Sequence, residues 1–419
     1  MHAAERSGYG FPSSVQKLHL VFTLAVLSCA SACDLVLGIR ELPPRVDATT
    51  GEDTASVDAG DASDAGASDA DATLDDADDA TPETADVGCD ADLERDPENC
   101  DVCGHSCLGG GCIGRRCQPV LLTSSEVWPL AIAVDPGDDG YIFAADYKAQ
   151  NLVRIAKDGS ERRVLYHETN TNLPLMVAIL GANVYLLETT VGGGPSSTIV
   201  RVDHDGANLR KLDTGGWTFG MSINRDGVFW INRIGANRIW RSELDFSGPK
   251  ALRAVDPGVD EYSIVADEDP SGFVYWAGND GVWRMHKDGT ATTQLALYGT
   301  VPIAIDATSL FYASGEPGQP ADQRFVFRIP KEGCTDAGPG DCRSTLTDGL
   351  VAKTVDPSLV LDGEFLDVVH LDGRHALRYP KLGGPPVTLI SGVNVTSSAH
   401  DTRFVYFGTN VRGVYRVAK

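Results

Sequence analysis

Leu130-Ala131-Ile132-Ala133-Val134-Asp135, then Tyr141-Ile142-Phe143-Ala144-Ala145, then Leu152-Val153-Arg154-Ile155, then Arg163-Val164-Leu165-Tyr166: these four runs decide the fold. Each is short, rich in β-branched and aromatic residues, and bounded by turn residues, the signature of strands joined by hairpins. In the third run Arg154 falls on the opposite face from its two apolar neighbours, as period-two alternation requires. Lys157-Asp158-Gly159 follows, and the Asp-Gly pair marks a hairpin turn because glycine tolerates positive φ.

The frame returns down the chain. Hydrophobic-Arg-hydrophobic triplets centre on Arg154, Arg201, Arg241, Arg284, Arg328, Arg378 and Arg416, at spacings of 47, 40, 43, 44, 50 and 38 residues. Second strands recur at Val184-Tyr185-Leu186, Val228-Phe229-Trp230, Val274-Tyr275-Trp276, Leu310-Phe311-Tyr312, Glu364-Phe365-Leu366 and Val405-Tyr406-Phe407. A four-strand unit at this period predicts an all-β fold, a seven-bladed β-propeller over residues 119–419. The ends specify how the ring closes. The last repeat stops at its third strand, Val414-Tyr415-Arg416-Val417, while Val120-Leu121-Leu122 precedes the first repeat as an orphan. The orphan is expected to complete blade seven and so remove an exposed edge.

The blades resemble the NHL and YWTD families of propellers, as in Val274-Tyr275-Trp276 followed by Arg284 and Asp288-Gly289. The resemblance covers residues 119–419, although no repeat carries an intact YWTD: Phe143-Ala144-Ala145-Asp146, Phe229-Trp230-Ile231-Asn232 and Tyr275-Trp276-Ala277-Gly278 stand in its place.

Residues 1–118 are a different kind of sequence. Lys17 precedes an apolar stretch, Leu20 to Leu27, too short to span a bilayer, then small residues and Cys33. This resembles a bacterial lipoprotein signal, which implies a signal peptide over 1–32, lipidation at Cys33 and an anchored N-terminus over 33–45, in the outer membrane or at the cell surface. Cys29 is the rival lipid site, and plain secretion with cleavage near Ala32 the other alternative. Of ten cysteines, losing Cys29 with the signal and lipidating Cys33 leaves eight, an even number suited to an oxidising compartment. Residues 46–88 hold fourteen Asp or Glu and no Lys or Arg, over half of the net charge of −24. Such a run buries little and repels itself, so it reads as a disordered linker with a coil span of roughly 35 Å. Calcium binding there lacks the fixed glycine turn and closing bidentate Glu of a calcium loop.

Cys89, Cys100, Cys103, Cys107, Cys112 and Cys117 crowd into residues 89–117. The run Asn99-Cys100-Asp101-Val102-Cys103-Gly104-His105-Ser106-Cys107 resembles the NCGxCGxxC modules of secreted proteins, the stigma-specific type among them, which implies a disulfide knot. Zinc is the competitor, through Cys100, Cys103, His105, Cys107 and Cys112, but export and even parity favour disulfides. Fifteen pairings are open. Cys334 and Cys342 bracket an insertion in blade five and read as a local disulfide.

Function is harder to place. Nothing forms a basic stripe, which excludes binding to the nucleic-acid backbone. No HExxH pair and no GxSxG elbow occurs. Asp135, Asp267, Asp306 and Asp362 each end a first strand, and a residue that recurs at one place in the repeat reads as a turn cap. The expectation is therefore a non-enzymatic, envelope-anchored binding protein, a monomer without cofactor, whose loop face meets a glycan, a peptide or an envelope protein. The alternative is a metal-dependent hydrolase or lyase of the gluconolactonase type, with ligands in the central channel. The loops entering the first strands and those joining second to third strands offer Trp128, Asp146, Tyr147, Trp217, Asn232, Arg233, Tyr262, Asn279 and Asp280 as candidate contacts. Packing between blades is the competing role for Trp217 and Tyr262.

Overall fold

A computed structural model describes residues 91–419, apart from 124–126, 138–139, 170–171, 191–195, 233–237, 255–260, 279–280, 298–299, 315–324, 334–341, 348–357, 371–374 and 411–412. The signal, the Cys33 lipid site and the acidic linker therefore lie outside the described residues. Thr84–Lys419 forms one compact unit.

Seven four-stranded antiparallel sheets make up the described residues, and no helix interrupts them. Blade one is Pro129–Val134, Tyr141–Asp146, Asn151–Ala156 and Arg162–His167, within a residue or so of the bounds read from sequence. Blade seven comprises Val395–His400, Phe404–Thr409, Val414–Ala418 and the N-terminal strand Val120–Leu121. Val120 pairs with Arg416 and Leu121 with Tyr415, so the orphan strand closes the ring. Blade five, like blade seven, has an outer strand of two residues, Ser344–Thr345.

Second strands are the buried spine. Phe143, Tyr185, Phe229, Tyr275, Phe311 and Tyr406 are essentially inaccessible, each packed between neighbouring blades. Trp230 stacks on Trp240 and Trp276 on Trp283, cross-strand partners at centroid separations of 6.1 and 6.3 Å. Trp230 and Trp276 are core, while Trp240 and Trp283 are half-buried and pack against it.

The cysteine-rich segment is fastened to the seam. Cys100–Cys112 and Cys107–Cys117 are disulfides, which selects among the pairings and removes the sulfurs from zinc ligation. Cys103 and Cys342 are also disulfide-bonded, while Cys89 and Cys334 lie outside the described residues. Leu108 and Cys117 pack on the core shared by blades one and seven. His105 Nε2 lies 2.7 Å from the carbonyl oxygen of Lys419. Gly159, at φ +81°, sits where a Cβ would meet the Leu122 carbonyl at 2.3 Å, so the first blade's turn presses directly on the closing strand.

Candidate functional site

The two faces of the ring are built differently. On the face holding the turns between first and second strands, an aspartate of one blade receives an ammonium from the next. Lys287 reaches Asp226 at 2.5 Å, Lys331 reaches Asp267 at 2.5 Å, Lys381 reaches Asp306 at 3.0 Å and Lys419 reaches Asp362 at 2.8 Å. Lys157 reaches Asp401 at 2.7 Å across the seam. His204 stands 3.6 Å from Asp135 at the junction of blades one and two. Only the junction of blades two and three has Leu244 at the lysine position, and there Phe246 packs edge-on to Tyr185 at 6.2 Å.

Four of the triplet arginines complete the rivet from the other side. Arg154 donates to the His204 carbonyl, Arg201 to Leu244, Arg284 to Lys331 and Arg416 to Lys157, at 2.7–3.1 Å. Each spans from its own blade to the residue three beyond the next blade's arginine. The guanidiniums of Arg154, Arg284 and Arg416 also lie over aromatic rings, as Arg154 does over Tyr141 at 4.1 Å. Asp267, Asp306 and Asp401 thus cap their turns, as in Asp306 Oδ1 accepting from the Thr308 and Ser309 amides, and hold a cation with the other oxygen. The lysine half of the rivet was missed in the sequence, though its cue is periodic: Lys157, His204, Leu244, Lys287, Lys331, Lys381 and Lys419 all stand three residues after a triplet arginine.

Ionisation follows from this geometry. Burial alone would raise the Asp401 carboxyl, but Lys157, the Arg403 and Phe404 amides and the Tyr406 hydroxyl hold it below the ordinary carboxylate range. Asp306 and Asp362 behave alike: burial is outweighed by the Thr308 amide and Lys381 in one, and by Lys419, His400 and Arg378 in the other. A 780 Å³ cleft on this face, between blades four and five, is lined by Asp267, Asp306, Arg284, Lys331, Phe273 and Tyr275, the rivet residues themselves.

The opposite face carries the candidate contacts. In six blades the first strand shifts register near its start, opposite the end of the second strand. Such a β-bulge re-aims the chain at the rim of a ring. Pro129 pairs with Asp146, Pro174 with Glu188 and Thr218 with Asn232 just before the shift. Tyr262 is the unpaired residue of its bulge, inside a strand and not in a loop.

Trp128, Asp146 and Tyr147 come together. Asp146 is fully buried, and its Oδ1 accepts from the amides of Trp128, Lys148 and Ala149 at 3.2 Å each. The Tyr147 amide donates to the Trp128 carbonyl at 3.2 Å. These bonds set the two half-buried rings edge to face, centroids 6.1 Å apart, with Lys148 Nζ 4.4 Å from the indole centroid. Asp146 Oδ2 is buried without a hydrogen-bond partner. Elsewhere on this face the candidates disperse. Trp217 is 36% exposed in blade three. Asn232 is buried and braces its loop, donating to the Thr214 carbonyl at 2.7 Å. Arg233, Asn279 and Asp280 lie outside the described residues, as does the Tyr262 side chain. Among the described residues the one set of three His, Cys, Asp or Glu side chains within metal reach is Cys100, Cys107 and Cys117, whose sulfurs are in disulfides.

No family model matches the chain, and no curated protein matches it. Solved structures do. Virginiamycin B lyase from Staphylococcus aureus superposes with a TM-score of 0.55 at 14% identity, over 72% of this chain and 98% of the lyase. A catalytically inactive variant of that lyase, with quinupristin, gives 0.53 at 13%, with the same coverage of both chains. A chain of the mitotic checkpoint complex gives 0.51 at 11%, over 72% and 93%. The shared property is the propeller fold, which occurs in an enzyme and in a protein assembly alike. The expectation of a non-enzymatic protein is corrected by the lyase: this architecture, matched over nearly its whole length, supports catalysis. The physical reason is that a propeller gathers its working residues from several blades. A search for contiguous motifs such as HExxH is blind to a site of that kind.

Proposed function

We propose that this chain is an exported propeller, anchored through Cys33, that takes an acidic glycan on its loop face at the Trp128–Tyr147–Lys148 corner of blade one. The observation that carries this reading is the fixed, half-exposed indole–phenol pair with an ammonium beside it, set on a fully buried carboxylate. Aromatic faces stack on the apolar face of a sugar ring, and a lysine pairs with its carboxylate or sulfate. Because Asp146 fixes Trp128, Lys148 and Ala149 through backbone amides, the platform is ordered before any ligand arrives, which lowers the cost of binding.

The test is binding of the purified chain to glycan and peptide arrays, followed by calorimetry with the best acidic glycan. Trp128→Ala and Lys148→Ala are each expected to weaken binding by about tenfold or more, as loss of a central aromatic or charged contact does. Unchanged affinity in both variants, or selection of peptides alone, refutes the reading. Mass spectrometry of the same mixtures reports turnover of the bound glycan at this face.

A further inference from the structure

Beneath that corner lies a group of side chains that neither the rivets nor the platform uses. Glu168 follows the outer strand of blade one, and its amide donates to the carbonyl of Gln150, which closes the loop carrying Tyr147 and Lys148. Glu188 stands on the second strand of blade two, fully buried, and Glu168 is 3% exposed. Tyr166 links them: its hydroxyl bonds Glu168 Oε2 and lies 3.2 Å from Glu188 Oε2. From the outer strand of blade two, Lys211 Nζ reaches Glu168 Oε2 at 3.1 Å and lies 4.9 Å from the Tyr166 ring centroid. The charged and titratable groups facing Glu188 are therefore Glu168 and Tyr166 from blade one and Lys211 from its own blade.

Glu168 also accepts from the Thr169 amide at 2.9 Å, so the shortage of donors falls on Glu188. A phenol has one proton, and an ionised carboxylate has none to give. Once Tyr166 donates to Glu168, its oxygen meets Glu188 Oε2 with no hydrogen between them, and Glu188 Oε1 is buried without a partner. A proton on Glu188 supplies the missing donor and removes a buried charge that Lys211, bonded to Glu168, does not also neutralise.

We propose that Glu168 and Glu188 hold one proton between them, and that this proton locks blade one to blade two under the loop of Tyr147 and Lys148. Burial, and then the charge of Glu168, push Glu188 up to about 8, so the proton is in place at neutral pH. Because the folded-state value lies above the ordinary 4.5, stability falls as pH climbs from about 4.5 to about 8 and levels off beyond. Loss of the proton leaves two carboxylates sharing Lys211 at the blade junction, and the loop above loses its support. Any effect on ligand uptake rests on the loop-face reading given above. The lock itself is tested without ligand, so the two can fail separately.

The experiment compares the full chain with Glu188→Gln, which mimics the neutral acid, from pH 5 to 9. The melting temperature of the unsubstituted protein is expected to drop about 3–6 °C more than that of the variant across this range. Difference infrared spectra at pH 7 should show a protonated carboxyl band that disappears above pH 8 and is missing in the variant. Amide exchange of residues 146–150 at pH 9 should be faster in the unsubstituted protein than in Glu188→Gln. Parallel melting profiles, or no protonated carboxyl band at pH 7, overturn the proposal. If Glu188→Gln fails to fold, the infrared titration of the unsubstituted protein decides alone.

Discussion

The turn face and the loop face of this ring are made from the same strands, yet one repeats its chemistry and the other does not. On the turn face an Asp and a Lys recur at five of the seven junctions, with His204 and Leu244 as the departures. On the loop face the residues at or near the ends of the second strands change in kind: Asp146, Glu188, Asn232, Gly278, Ser314, His370, Thr409. Residues that repeat with the blade hold blades together, because every junction has the same geometry to satisfy. Residues that depart from the repeat are released from that duty. The Trp128 platform and the Glu168–Glu188 pair are both departures of this kind.

The largest effect should come from the seam, where the ring depends on two residues of strand. Replacing Cys107 and Cys117 by serine removes the bridge nearest Val120 and should cost about 2–4 kcal/mol. Calorimetry should show a fall of about 5–10 °C, larger than for any single rivet. A smaller drop would mean that blade seven is held by the Lys157–Asp401 contact and core packing alone.

Next come the rivets. Lys287 is 6% exposed at its side chain against Asp226, and Lys287→Met leaves a carboxylate without its ammonium. A loss of about 2–3 kcal/mol in urea unfolding is expected, below the full cost of an entirely buried pair because Asp226 keeps some water. Leu244→Lys, at the junction with neither a lysine nor a histidine in that place, should gain nothing, since no aspartate faces it. Equal effects at both positions would break the distinction between repeated and unrepeated junctions.

The rivets also set the acid limb of stability. Asp306, Asp362 and Asp401 are held below the ordinary value of 3.8, so their contribution is complete above it and is lost as pH falls through the lowered values. Melting followed by circular dichroism should decline steeply below about pH 4, and Lys381→Met should flatten that decline. With the Glu188 lock acting from the alkaline side, maximal stability belongs in the mildly acidic range.

Strand identity, blade number and the seam were legible because burial enforces period-two alternation and each blade repeats it. The bulges at residues such as Tyr262 were not legible, because one extra residue in a strand leaves the apolar pattern nearly unchanged. The Glu188 cluster was hidden for a different reason. Tyr166, Glu168, Glu188 and Lys211 come from three strands of two blades, and no spacing in the chain announces their meeting. Trp128, Asp146 and Tyr147 could be nominated because they begin and end one hairpin, whereas the bond from Asp146 to three amides depends on the turn that follows.

The smallest stability effect is expected where the proposed function is placed, and that asymmetry separates a binding platform from a structural one. Lys148 is exposed and makes its cation–π contact with Trp128 at the surface, where such contacts contribute about 0.5–1 kcal/mol. Lys148→Ala should therefore move the urea midpoint little while removing most of the affinity for an acidic glycan. Asp146→Asn is the informative companion. It keeps an oxygen for the Trp128, Lys148 and Ala149 amides but removes the buried charge. Stability should change by less than about 1 kcal/mol, and affinity should survive, because the aromatic pair stays in place. If Asp146→Asn instead abolishes binding with the fold intact, the carboxylate itself meets the ligand or a cation that comes with it. Trp128 and Tyr147 would then be the walls of that site and not its floor.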